Sequence, residues 1–197
     1  MRFIYTTFLL LLTTLLFAQT SQMKFEVNFN GMNIGSITAT KTILGKKETI
    51  DVKTNTDASI LVMSIHVESE INLHKEQAVL KNGIAYRHSN RGTENIIGYT
   101  QKLGNKYVSN INHKVDTIYK PAITFTVADL YFTEPIGLTE IYSNMYGSFV
   151  KISDLGNHKY KFTTPDGKVN AYTYINGQLS IIEVELSIGK VVSKRTS

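Results

Sequence analysis

From Lys24 onward, β-branched and aromatic residues recur at every second position, a period that suits strands and excludes amphipathic helices. Phe25, Val27 and Phe29 alternate with Glu26 and Asn28, and Asn30-Gly31 then turns the chain. Ile37, Ala39 and Ile43 share one side of the next run, with Thr38, Thr40 and Thr42 on the other. Gly35 stands where a bulge is expected. Pairs that tolerate positive φ punctuate the rest: Asn82-Gly83, Gly104-Asn105, Gly156-Asn157, Asp166-Gly167 and Asn176-Gly177, together with Gly45 and Gly189. Turn signals about ten residues apart predict an all-β fold, an antiparallel meander of roughly a dozen strands forming a curled sheet, half-barrel or barrel.

Asn176-Gly177 fixes a register if it is a two-residue turn. Tyr174 then faces Leu179, Tyr172 faces Ile181, Asn170 faces Glu183 and Lys168 faces Glu185. Both faces of that hairpin carry apolar residues, as a strongly twisted sheet with a changing buried side would require. One segment breaks the rhythm. Thr126-Val127-Ala128-Asp129 has the spacing of a helix capping box, Leu130, Tyr131 and Phe132 follow, and Glu134-Pro135 stops the element. The expectation is one short helix near 126–132, with another strand as the competing reading.

The N-terminus reads as a leader. Arg2 supplies charge, Phe8 to Phe17 is apolar apart from Thr13 and Thr14, and Ala18 precedes the polar stretch Gln19-Thr20-Ser21-Gln22. The apolar run is shorter than the roughly 20 residues of a membrane-crossing helix. The expected organisation is a signal peptide over 1–18 and a single β domain over 19–197, periplasmic or secreted, without a transmembrane segment once the leader is removed. The chain has no cysteine, so thiol catalysis, thiolate metal sites and disulfides are excluded. Net charge is +5, but the lysines are scattered singly, with adjacent cations only at Lys46-Lys47 and Lys194-Arg195. A nucleic-acid partner, which would call for a concentrated basic face, is not expected.

The densest set of polar side chains lies between Ser64 and His74. His66, Glu68, Glu70 and His74 share one parity, and Ile65, Val67, Ile71 and Leu73 the other. Imidazoles and carboxylates on one sheet face are weak candidates for a metal or an acid–base pair. The solvated outer face of an amphipathic strand has the same composition, so no metal and no other cofactor is expected there. His88, Arg91 and Glu94 fall in a polar, glycine-containing stretch of loop character, while His113 with Asp116, and His158, form no motif. Ile34-Gly35-Ser36-Ile37 lacks the second glycine of a nucleophile elbow, and there is neither a phosphate-binding glycine loop nor HExxH. No motif in the sequence supports an enzyme.

Three stretches together carry a resemblance: Phe25-x-Val27-x-Phe29-Asn30-Gly31-x-x-Ile34-Gly35, then Leu130-Tyr131-Phe132-x-Glu134-Pro135, then Asp166-Gly167-x-x-Asn170-x-Tyr172-x-Tyr174-x-Asn176-Gly177. This layout resembles an uncharacterised domain-of-unknown-function family of small secreted β proteins from Bacteroidota, over essentially the whole chain after the leader. The resemblance implies no activity. In architecture, a curled antiparallel sheet with one short helix is similar to the periplasmic lipoprotein-carrier half-barrels, a likeness of fold that transfers no residue. The functional expectation is a non-catalytic cell-envelope protein binding an apolar or amphipathic ligand, such as a lipid, in its interior. Leu130, Tyr131, Phe132, Tyr172 and Tyr174 are the candidate lining. The alternatives are an interaction module that pairs with an envelope partner through a sheet edge, and a hydrolase or metal-dependent enzyme centred on His66, Glu68, Glu70 and His74.

Overall fold

The computed structural model describes residues 18–60, 63–90, 95–186 and 189–197. Residues 1–17 of the expected leader, and Arg91 and Glu94, lie outside these residues. Fourteen strands form one sheet: β1 (Gln19–Phe29), β2 (Met32–Leu44), β3 (Lys47–Ile60), β4 (Met63–Glu76), β5 (Val79–Ser89), β6 (Ile96–Leu103), β7 (Lys106–Ile111), β8 (Lys114–Ile118), β9 (Glu140–Ser143), β10 (Ser148–Asp154), β11 (Lys159–Thr163), β12 (Val169–Ile175), β13 (Gln178–Leu186) and β14 (Gly189–Arg195). The all-β expectation holds, with two strands more than the rough dozen. Among the described residues no helix is long and apolar enough to cross a membrane.

The strand order is β8-β7-β6-β5-β4-β3-β2-β1-β14-β13-β12-β11-β10-β9, antiparallel throughout. The first and last strands therefore lie side by side in mid-sheet, with Phe25 opposite Arg195. The two edges, β8 and β9, are consecutive in sequence. They are joined by residues 119–139, which cross the concave face and carry the one helical segment among the described residues, a 3₁₀ helix at Val127–Tyr131. The expected short helix is there, in its tighter form.

Alternation explains the core. Phe25, Val27, Ile37, Ala39, Ile50, Val52 and Leu73 occupy the inward parity of β1 to β4 and are buried, while their neighbours face water. Across β5 to β7 the larger buried side chains Leu80, Ile96 and Tyr107 flank a stretch of small inward residues, Gly83, Ala85, Gly98, Thr100 and Ser109, all buried. The β9–β10 turn sits on that flat surface. A Cβ on Gly83 would lie 2.5 Å from Asn144 Nδ2, and one on Gly98 2.7 Å from the Asn144 carbonyl oxygen. The sheet curls until its two ends meet face to face, without a ladder closing it.

That packing corrects one expected turn. Asn82-Gly83 lies inside β5, and the β4–β5 turn is Gln77-Ala78, with φ of 51° and 61°. The glycine at 83 serves close approach of another chain segment, not a reversal. The hairpin register needs a correction too. Tyr174 does face Leu179, but a bulge shifts the pairing so that Thr173 faces Ile181, Tyr172 faces Ile182, Asn170 faces Val184 and Val169 faces Glu185. Asn170 therefore does not face Glu183, nor Lys168 Glu185. Leu179 and Ile182 are three apart, and only an extra residue between them lets both point inward. The bulge, not a change of buried side, reconciles the two apolar faces. The bulge expected at Gly35 is present, between Val27 and Asn28 of the partner strand, and a Cβ at 35 would lie 2.1 Å from the Asn55 carbonyl oxygen.

Candidate functional site: the crossover and its tyrosine cradle

The crossover is tied to the sheet mainly through side chains. Thr126, in extended conformation at φ −125°, makes a single parallel bridge to Tyr142 and starts the 3₁₀ turn. The Thr126 N–H and its hydroxyl both donate to Asp129 Oδ2, each at 2.7 Å. The other carboxylate oxygen accepts from Lys75 Nζ at 2.5 Å, and that ammonium also donates to the Thr124 carbonyl at 3.0 Å. The two charged side chains are only 3% and 8% exposed. An ion pair taken out of water persists when its remaining hydrogen-bonding groups are met, as they are here.

Tyrosines hold the rest. The Tyr107 hydroxyl accepts the Ile123 N–H at 2.9 Å, and the Tyr174 hydroxyl donates to the Leu130 carbonyl at 2.6 Å. The Tyr142 hydroxyl is 3.0 Å from Thr100 Oγ1. Just past the helix, Glu134 accepts from the Tyr160 hydroxyl at 2.8 Å and lies 2.8 Å from His158 Nδ1. The Tyr131 ring meets Phe25 edge-on at 5.8 Å, and Tyr160 meets Tyr174 likewise at 5.8 Å.

Burial pushes the phenols of Tyr131, Tyr172 and Tyr174 far up, and raises Tyr160 to about 12 with help from the adjacent Glu134 carboxylate. These groups stay protonated in any physiological medium. They can donate hydrogen bonds and offer ring faces, but none can serve as a tyrosinate base.

Four of the five proposed lining residues converge here. Leu130, Tyr131, Tyr172 and Tyr174 are all buried on the concave side, and they fill the volume between crossover and sheet with their own side chains. Phe132 is half-buried at the margin of the core, its ring 5.2 Å below Lys41 Nζ. The buried cation Lys75 carried a signal in the sequence: it falls on the same parity as Ile71 and Leu73, where a solvated strand would not place a charge. Asp129 was visible only as a cap.

The polar residues of β4 are strung out along the outer face, each tied to a neighbour. His66 Nδ1 lies 2.6 Å from Asp57 Oδ1 and its Nε2 3.1 Å from Glu68 Oε1, while Glu70 pairs with Lys53 at 3.2 Å. His74 is bonded to Thr49 at 3.3 Å. Among the described residues no three His, Asp or Glu side chains are grouped to hold a metal ion. His88 bonds Asn95 at 3.0 Å, and His113 occupies the β7–β8 turn at φ 68°.

Two openings flank this framework. A cleft of about 670 Å³ runs along the seam between β7–β8 and the β9–β10 turn, lined by Ser109, Ile111, Asp116 and Tyr146 among others. A polar trough of about 340 Å³ lies over β2 to β5. Inside the seam, Asn144 Nδ2 is buried with no acceptor among the described residues.

The family model described as "Domain of unknown function (DUF6134)" matches residues 25–196, from the first core residue of β1 to the end of the last strand. The chain belongs to the DUF6134 family. The match takes in all of the curled sheet except the first residues of β1, and the whole crossover. No curated protein and no solved structure matches the chain.

Proposed function

We propose that this DUF6134 chain is a small exported, non-catalytic cell-envelope protein that takes up an apolar or amphipathic ligand in the interior now filled by its crossover. The observation that carries this reading is the unlaced seam: β8 and β9 share no ladder, so the concave face is closed by a segment anchored chiefly through side chains. A buried ion pair contributes little more to stability than an apolar pair of equal volume, and its best-attested use is to fix one register. Lys75 and Asp129 give the crossover one defined seat to leave and regain. The unmet Asn144 amide supports a ligand with a carbonyl or hydroxyl near its head, since a buried donor without a partner is costly. A second reading, a module that pairs through a sheet edge, is favoured by the free outer side of β8, where Val115 is 66% exposed.

The test uses a dansyl-labelled fatty acid as a monomeric probe, together with mass analysis of solvent extracts from detergent-free protein. Saturable, blue-shifted emission is expected, with weaker retention in Phe132→Ala, whose ring guards the margin of the interior. No saturable uptake and no co-purified lipid would overturn the ligand reading; a stoichiometric partner chain in native mass spectrometry would then establish the edge-pairing one.

A further inference from the structure

The meander sends its turns to two rims, and they differ. One rim gathers the β2–β3, β4–β5, β6–β7, β10–β11 and β12–β13 turns and both ends of the crossover. Leu44, Leu103, Leu155 and Ile175 stand at four of those turns, 46%, 45%, 48% and 57% exposed, and Tyr119 and Ile136 in the crossover ends are 82% and 72% exposed. Each is a single large apolar side chain at a tip, so together they form no groove that a folded partner could fill.

The same rim carries unneutralised cations. Lys46 and Lys47 follow Leu44, and Lys102 and Lys106 flank Leu103. Among the described residues no carboxylate lies within ion-pair distance of these four lysines or of Lys194. Of the nearby carboxylates, Glu76 and Glu140 are paired with Lys81 and Lys120, while Glu48 and Asp154 have no cation within ion-pair distance among the described residues. At the opposite rim Lys168 pairs with Asp166 and Lys190 with Glu183, while Lys114 in the β7–β8 turn has no carboxylate within ion-pair distance among the described residues. Neighbouring tips of the first rim are also braced to one another. The Gln77 N–H donates to the Lys46 carbonyl at 2.8 Å, Lys102 Nζ to the Pro121 carbonyl at 2.7 Å, and Arg195 Nη1 to Gln178 Oε1 at 2.7 Å.

We infer that this rim docks on an anionic lipid surface, with Leu44, Leu103, Tyr119 and Ile136 entering the interfacial layer and Lys46, Lys47, Lys102 and Lys106 lying among the headgroups. An apolar tip beside ammonium groups matches the two layers a bilayer presents, an acyl boundary under negative charge. A nucleic acid would engage the lysines but has no use for exposed leucines. The inference stands apart from the interior-ligand reading, because the rim docks whether or not anything occupies the core.

The test is flotation of the chain without residues 1–18 on vesicles of phosphatidylcholine alone and of phosphatidylcholine with phosphatidylglycerol. Binding is expected only to the anionic vesicles, weakened by salt. The combined Lys46→Gln, Lys47→Gln and Lys106→Gln variant should lose about fivefold per lysine. Leu44→Ser with Leu103→Ser should also weaken binding, whereas Lys168→Gln with Lys190→Gln, and Ile97→Ser with Tyr99→Ser on the outer face, should not. Circular dichroism confirms that each variant is folded. Equal binding to neutral vesicles, no binding at all, equal loss in either control pair, or capture by soluble heparin without capture by vesicles would each overturn the inference. The fatty-acid probe is unaffected by the rim variants, so the two failures are told apart.

Discussion

Strand β4 carries two charged clusters on opposite faces of one sheet, and their surroundings give the same kinds of group different roles. Outside, His66 bridges Asp57 and Glu68 in water, where ion pairs contribute little because solvent already satisfies the charges. Inside, nine residues along, Lys75 meets Asp129 almost without water, and every oxygen of the carboxylate is occupied by a donor from the crossover or from β4. The outer cluster decorates the strand; the inner one fixes where the connection between β8 and β9 lies. Burial, not residue type, separates them.

The largest effect should come from splitting the inner pair. Asp129→Asn or Lys75→Met each leaves the other member buried without its counterion, and should cost about 3–5 kcal/mol in urea unfolding. Lys75→Met combined with Asp129→Leu should recover most of that loss, because no charge is then stranded. If the double variant is as unstable as either single one, the pair is not the seat of the crossover. Equivalent neutralisation outside, at Glu68, should shift the midpoint by too little to resolve.

Next comes the crossover's own packing. Leu130 is fully buried and Phe132 half-buried, two residues apart. Leu130→Ala should lose about 2–5 kcal/mol, in the range of core truncations, and Phe132→Ala distinctly less despite removing the larger side chain. Thermal and urea unfolding of the two variants measure this directly. A greater loss for Phe132→Ala would place that ring in the permanent core and remove it from the margin of the interior.

How much of this could be read beforehand follows from how local each determinant is. The strands and most turns were legible because period-two alternation and Asn-Gly or Asp-Gly pairs act over a few residues. The helical turn was legible because Thr126 and Asp129 complete a cap by themselves. Gly83 misled, since a turn-forming pair and a bare spot for Asn144 look alike without the distant segment that lands there. The bulge between Leu179 and Ile182 left a trace, two inward residues at odd spacing, that alternation alone assigns to opposite faces. Leu130, Tyr131, Tyr172 and Tyr174 could be named from the sequence as large apolar side chains, and all four are buried, whereas Glu134 with Tyr160 and His158, and Lys75 with Asp129, join residues far apart in sequence and needed the fold. Closure across the β8–β9 seam is likewise non-local.

The smallest effect belongs to the outer cluster and is best seen as a titration. Hydrogen bonding to Asp57, and then to Glu68, raises the His66 pKa above its ordinary 6.5, because both nitrogens donate to carboxylates only in the imidazolium form. A raised folded-state pKa makes the cluster's contribution to stability complete below about 6.5, and that contribution fades as pH climbs through the folded value. The group is solvated, so the change in unfolding midpoint should fall within the scatter of the measurement, and the imidazole resonances are the useful readout. Wild-type His66 should titrate above 6.5, and Asp57→Asn should bring it down further than Glu68→Gln does, since the Asp57 contact is the shorter, at 2.6 Å against 3.1 Å. A midpoint for His66 at or below 6.5 would mean that its carboxylate neighbours are not engaged in solution. A large stability change between pH 6 and pH 8 that disappears in His66→Gln would mean that the outer cluster, too, holds part of the fold together.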